Sequence, residues 1–157
     1  MNNGIVRPML PSDLEAILEI ESASFSSPWS LESFNTELKD NEYARYLCLE
    51  LNEQVIGYMG LWFILDEGHI TNIAITPNFR GQRWGEFLMR SVMEKMAEQG
   101  MERMTLEVRV SNSSAQSLYK RLGFTIAGVR KGYYADNQED AIIMWAELRH
   151  MNENNKS

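Results

Sequence analysis

A glutamate stands in the middle of a β-forming run, Met104-Thr105-Leu106-Glu107-Val108-Arg109-Val110. With side chains alternating along a strand, Leu106, Val108 and Val110 share one face, and Thr105, Glu107 and Arg109 the other. A strand in the parallel part of a sheet is apolar on both faces, and a carboxylate is rarely buried unless it is paired or working. Two readings follow: Glu107 pairs with an arginine of the sheet, or it lines a cleft as a general base. A second stretch with chemical potential runs over residues 70–100. It begins as a β run (Ile70, Ile73, Ala74, Ile75), stops at Pro77, and restarts as a helix with Phe87, Leu88, Val92, Met93 and Met96 on its apolar positions. Between them lies Arg80-Gly81-Gln82-Arg83-Trp84-Gly85-Glu86. A strand feeding a glycine-containing turn and then a helix leaves N–H groups and the positive dipole end pointing outward, which suits a pyrophosphate. Neither the Walker pattern nor G-x-G-x-x-G is present. An ordinary charged surface turn is the plainer alternative.

Positioning such groups takes a packed domain. The chain has 157 residues and 44% hydrophobic content, which predicts one domain over residues 1–150 and a disordered tail over 151–157. No apolar run reaches the length of a membrane span and no signal peptide is visible, so no membrane partner is expected. The single cysteine, Cys48, lies in an apolar run and reads as a small core residue. With no disulfide framework, the cytoplasm fits best. Two histidines, His69 and His150, are too few and too separated to suggest a metal site. A net charge of −7 argues against direct binding of nucleic acid and is compatible with a cationic acceptor such as an amine or a basic peptide.

The elements follow from period and punctuation. Residues 5–9 make a first strand, and Ser12-Asp13-Leu14-Glu15 has capping-box spacing ahead of a helix burying Leu14, Ile17, Leu18 and Phe25. Pro28-Trp29 breaks the chain, and Ser30 caps a second helix carrying Leu31, Phe34 and Leu38. Residues 43–51 and 54–65 form a hairpin around Asn52-Glu53, and Asp66-Glu67-Gly68 turns into the central strand. After the long helix ends at Gly100, the Glu107 strand follows; strand, helix, strand is the unit that makes a parallel pair. Ser111-Asn112 caps a helix over residues 114–122 that Gly123 closes, and 124–133 and 141–148 are the last strands. The tally is seven strands and four helices: an α+β domain (α/β three-layer) with a mixed sheet.

Taken in order, Arg80 to Glu86, then Leu106-Glu107-Val108-Arg109-Val110-Ser111-Asn112, Ala115, Leu118-Tyr119 and Leu122-Gly123-Phe124 resemble the acetyl-CoA motifs of the GCN5-related N-acetyltransferases. Pro28-Trp29-Ser30, Asn72-Ile73-Ala74-Ile75, Tyr133-Tyr134 and Glu139 to Met144 make the chain similar, more narrowly, to the ribosomal-protein-alanine N-acetyltransferases. In the superfamily's Arg/Gln-x-x-Gly-x-Gly/Ala signature, Arg80 and Gly85 hold the outer positions, while Arg83 stands where the first glycine is expected. The resemblance implies the acyl-CoA N-acyltransferase fold, with its central parallel strands splayed apart. It also implies Glu107 as proton acceptor, Tyr119 as proton donor and Asn112 as a side chain on the cofactor. Ile73-Ala74-Ile75 would pair with the pantetheine arm, and Arg80, Gly81, Gln82, Arg83, Trp84, Gly85 and Glu86 would form the pyrophosphate loop. The same resemblance implies acetyl-CoA as co-substrate, with no metal, and a protein N-terminus as partner, the alanine of a small-subunit ribosomal protein.

Trp29, Tyr133 and Tyr134 are then candidate walls of an acceptor groove, and Asp136, Glu139 and Asp140 an acidic rim. Trp29 reads equally as a lid over the core; for Tyr119 the plainer alternative is a helix tyrosine packed beneath the sheet. Two other functions stay open: acetylation of lysine side chains or small amines, and binding of acyl-CoA without catalysis.

Overall fold

Residues 3–148 are described in the computed structural model; His150 and the expected disordered tail lie outside the described residues. Among the described residues there are seven strands and four α-helices, and the strands make one mixed sheet. The chain divides into two compact units, one formed by the chain up to Phe63 together with Thr71–Val92, the other by Ile64–Ile70 and the chain from Met93 onward.

The first unit holds β1 (Gly4–Pro8), α1 (Leu14–Ser24), α2 (Leu31–Asp40), β2 (Ala44–Leu51), most of β3 (Gln54–Ile64), the second half of β4 (Glu67–Ile75) and the start of α3 (Trp84–Glu98). Its strand order is β1-β2-β3-β4. The β2–β3 hairpin closes at Asn52 and Glu53, both with positive φ (50° and 65°), the backbone that matches the right-handed twist of the strands. Ile17, Ile20, Phe34, Tyr46, Cys48, Tyr58 and Ala74 form the core. Cys48 is fully buried, and burial pushes its thiol up to about 12, which leaves it a packing group.

Two expectations change here. Ser12 does not cap α1. A short 3-10 turn, Pro11–Asp13, precedes the helix, because the Asp13 carboxylate accepts from the Leu10 N–H (2.7 Å) and binds the fork of Arg7 (2.7 and 2.9 Å). Phe25, Leu31 and Leu38 are exposed rather than inward; α2 buries Phe34 alone. Ser30 does cap α2, accepting from the Ser33 N–H at 3.1 Å.

The second unit holds the first half of β4, the end of α3, β5 (Arg103–Arg109), α4 (Ser113–Arg121), β6 (Thr125–Arg130) and β7 (Ala141–Glu147), with the order β4-β5-β7-β6. The parallel register of β4 with β5 joins Glu67–His69 to Arg103–Thr105, whereas β5 pairs antiparallel with β7 along its whole length. That explains the polar face of β5. Thr105, at the end of the parallel stretch, is buried and donates its hydroxyl to the Met144 carbonyl (2.9 Å), and Glu107 lies two residues beyond it. Glu67 and Gly68 start β4 rather than form a turn; Leu65 (φ 57°) makes the reversal instead. β6 ends at Arg130 and Val110 lies outside β5, so both expected strands were too long. Among the described residues no helix is long and apolar enough to cross a membrane.

The Arg7 guanidinium, by hydrogen bonding, lowers the Asp13 carboxyl from 3.8 to about 2. The folded value lies below the unfolded one, so the contribution is present above about pH 4 and is lost as pH falls toward about 2. Asp13→Asn is expected to lower the unfolding free energy at neutral pH by about 2 kcal/mol. In urea titrations the gap between native and variant should close across that acid window.

Candidate active site

Glu107 sits on β5 opposite Ile143 of β7, its side chain 28% exposed. Its Oε1 lies 3.4 Å from Nε of Arg130, at the end of β6. Its Oε2 is buried and has no hydrogen-bond partner among the described residues. One oxygen therefore faces an arginine, the pairing that the sequence allowed, and the other is left without a donor among the described residues. Tyr133 interacts with the same carboxylate, which raises the phenol's pKa. Tyr134 packs edge-on to Tyr133 (centroids 5.1 Å apart) and lies under the Arg109 guanidinium at 3.9 Å. Tyr119, from α4, is buried against Phe124, and burial pushes its hydroxyl up to about 12. Tyr134 contributes to that shift as a neighbouring titrating group. The second unit thus brings Glu107, Tyr119, Tyr133 and Tyr134 together. Arg130 was not singled out as the neighbour of Glu107. For Arg109 a signal existed, since it alternates onto the Glu107 face.

The expected acidic rim is different in kind. Asp136 binds Arg109 through both oxygens (3.1 and 3.0 Å), Glu139 accepts from the Ser111 N–H at 2.6 Å, and Asp140 from the Gly132 N–H at 2.9 Å. These carboxylates close their own loop instead of forming an open negative surface. Asn112 serves as the N-cap of α4, its Oδ1 accepting from the Ala115 N–H (3.1 Å).

In the first unit, Ile73-Ala74-Ile75 ends β4. The backbone of β3 lies so close that a Cβ on Gly57 would sit 2.6 Å from Ile75 Cδ1 and 3.0 Å from the Ala74 carbonyl oxygen. Arg80 donates to the Ile75 carbonyl (2.9 Å) and to Ser24 Oγ (2.8 Å), so its guanidinium ties the loop to α1 and β4. Gln82 donates to the Asn78 carbonyl at 3.2 Å. Gly81 (φ 75°) and Arg83 (φ 69°) both take left-handed backbone. The Arg83 side chain is exposed and pairs with Glu86 Oε2 at 2.6 Å. Trp84 and Gly85 begin α3; the indole is buried against Phe87 (5.4 Å) and the edge of Gly4, so Trp84 can offer a ligand only its backbone. The first-turn N–H groups of an α-helix have no acceptor within the helix and favour an anion.

Trp29 packs over the core residue Phe34. It is 39% exposed, its ring meets Phe34 edge-on (5.3 Å), and its backbone N–H donates to Glu21 Oε2 (3.0 Å). Glu21 is 3% exposed, and its other oxygen accepts from the Tyr58 hydroxyl, which in turn accepts from Asn72 Nδ2 at 3.0 Å. Nothing in the sequence signalled this buried carboxylate.

The chain belongs to the GNAT acetyltransferase family, whose model matches residues 14–124. A Bacillus subtilis protein, named provisionally as a ribosomal protein bS18-alanine N-acetyltransferase, is 50% identical over 91% of this chain and 95% of its own. The Haemophilus influenzae enzyme of that name is 38% identical, covering 89% and 96%. The crystal structure of the ribosomal-protein-S18-alanine N-acetyltransferase from Escherichia coli superposes with a TM-score of 0.85 at 31% identity, over 92% of this chain and 94% of that one.

Removing Glu21 leaves the buried Tyr58 O–H, and the part-buried backbone N–H of Trp29, without this acceptor. Glu21→Ala is expected to destabilise by about 2–4 kcal/mol, and Glu21→Gln, which keeps an acceptor, by clearly less. Urea midpoints of the two variants decide it.

Proposed function

We propose that this enzyme transfers the acetyl group of acetyl-CoA to the α-amine of a protein N-terminus, the N-terminal alanine of a small-subunit ribosomal protein. The acceptor is the one carried in the names of the Haemophilus and E. coli relatives, and it implies action in the cytoplasm. Residues 1–150 are read as one N-acetyltransferase domain, since the family match runs through both units.

The observation that carries the reading is Glu107 Oε2. A buried acceptor left without a donor is costly, and such groups cluster where a ligand supplies the missing bond. An amine is such a donor. An α-amine has a pKa of about 7.7–8.0 and is mostly protonated at neutral pH, so Glu107 takes its proton, directly or through a water. A carboxylate alone would hold the ammonium in its charged form; Arg130, 3.4 Å from Oε1, offsets that pull. The thioester is already activated, so positioning and proton transfer suffice without a covalent enzyme intermediate.

Tyr119 serves the departing thiolate. A free thiol titrates near about 8.5. With the phenol at about 12, full transfer of its proton is uphill by about 5 kcal/mol. Tyr119 therefore acts as a hydrogen-bond donor to the sulfur. On the acetyl-CoA side, two left-handed residues and the first turn of α3 supply backbone N–H groups for the pyrophosphate. The Asn112 amide NH2 remains a donor once its carbonyl caps α4.

Thiol release from acetyl-CoA with an alanine-initiated basic peptide tests this. Glu107→Gln is expected to lower kcat/KM by about 100-fold or more, and Tyr119→Phe by about 100-fold. Wild-type release with N-blocked, lysine-bearing peptides and none with the free N-terminus would overturn the acceptor. Acetyl-CoA binding without release on any amine would overturn the enzyme.

A further inference from the structure

The loop of residues 131–140, which joins β6 to β7 and carries Tyr133 and Tyr134, has little apolar anchorage: Tyr133 and Asp136 are exposed. A ten-residue connection of this kind is ordinarily mobile. Here one side chain gathers it. The Arg109 guanidinium receives Asp136 in a two-oxygen fork (3.1 and 3.0 Å), reaches Asn137 Oδ1 at 3.2 Å and Glu139 Oε2 at 3.4 Å, and covers the Tyr134 ring at 3.9 Å. Arg109 is itself fixed, because β5 pairs it with Ala141 of β7 and Gln116 of α4 donates to its carbonyl at 3.0 Å. Glu139, held by Arg109, also accepts from the Ser111 N–H, one residue before the Asn112 cap. The group at the centre of the loop thus stands two residues along the same strand face from Glu107.

We propose that Arg109 is a positioning residue, which holds the loop 131–140 so that Tyr133 and Tyr134 stand beside Glu107 for the acceptor's N-terminus. The inference rests on the function proposed above and adds what sets its acceptor side. The guanidinium does this because it is flat and forked: it binds a carboxylate through two parallel N–H groups while its face stacks on a ring. A lysine ammonium is a point charge and can do neither at once. Charge alone therefore does not replace it. None of the groups held by Arg109 belongs to the loop 80–86, and its one tie toward the acetyl-CoA side is indirect, through Glu139 to the Ser111 N–H beside Asn112, so the larger effect falls on the acceptor.

Arg109→Lys and Asp136→Asn test it in the full chain, with Asn35→Asp on the exposed face of α2 as a control substitution. Two readouts are taken: amide hydrogen exchange of residues 131–140 in the free protein, and steady-state kinetics with acetyl-CoA and the alanine-initiated peptide. The expected result for Arg109→Lys is faster exchange across the loop and a peptide KM raised about tenfold, with the acetyl-CoA KM within about twofold. Asp136→Asn should give the same pattern more weakly, and the double variant should be no worse than Arg109→Lys. Unchanged exchange in Arg109→Lys, or faster exchange with an unchanged peptide KM, would overturn the inference. So would equal rises in both KM values, which mark a general structural role. If the wild type acetylates no N-terminus, the proposed function falls instead, while the exchange result still reports whether Arg109 holds the loop.

Discussion

A carboxylate oxygen buried without a hydrogen donor is the constraint around which the second unit is arranged. Glu107 cannot relieve it by moving. Its strand is held residue for residue against β7 from Arg103 to Arg109, and Thr105 adds a side-chain bond to the Met144 carbonyl just before it. Rotating the side chain outward would expose Oε2 but break the approach of Oε1 to Arg130. Backbone register therefore sets the carboxylate's position, and the desolvation of one oxygen is a fixed property of the fold.

Two arginines meet this acidic surface in different ways. Arg130 faces Glu107 at the edge of its guanidinium and remains largely exposed, so its field reaches the carboxylate without a two-point clasp. Arg109 is used up by oxygens of the 131–140 loop and the face of Tyr134. The difference is geometric before it is electrostatic. A single contact near water is weak and adjustable, whereas a fork with a stacked ring fixes a plane. The net charge of −7 does not collect on this loop, whose acids are matched by Arg109, Lys131 and backbone N–H groups.

What could be read from the chain was local. Ser30 and Asn112 are caps because a short side-chain oxygen reaches an N–H three residues ahead, a relation visible in sequence. The polar face of β5 and the parallel pair with β4 follow from alternation and the strand-helix-strand order. Glu21 and the Ser12 cap show where this stops. Glu21 looks like any helix glutamate, yet its partners are a tyrosine 37 positions on and the N–H of Trp29. The cap passes from Ser12 to Asp13, whose carboxylate takes the Leu10 N–H and is held by Arg7 from another element. Pairings of this kind are decided by tertiary packing, which propensity and spacing do not encode.

The loop before α3 separates two roles that a glycine usually performs together. A glycine in an anion loop supplies a left-handed backbone and also removes the Cβ that would crowd the ligand. At position 83 the backbone is left-handed, φ 69°, although the residue is an arginine. An L-residue in that region costs roughly 1–2 kcal/mol, so the turn is held by its surroundings rather than by local preference. Arg80 bonds to Ile75 and Ser24 on one side, and Trp84 is buried on the other. The bulk is dealt with separately: the Arg83 side chain turns to solvent and lies along α3 on Glu86. The turn is thus left-handed at position 83 without a glycine there. What remains altered at this turn is charge, a guanidinium and a carboxylate set side by side at the positive end of a helix.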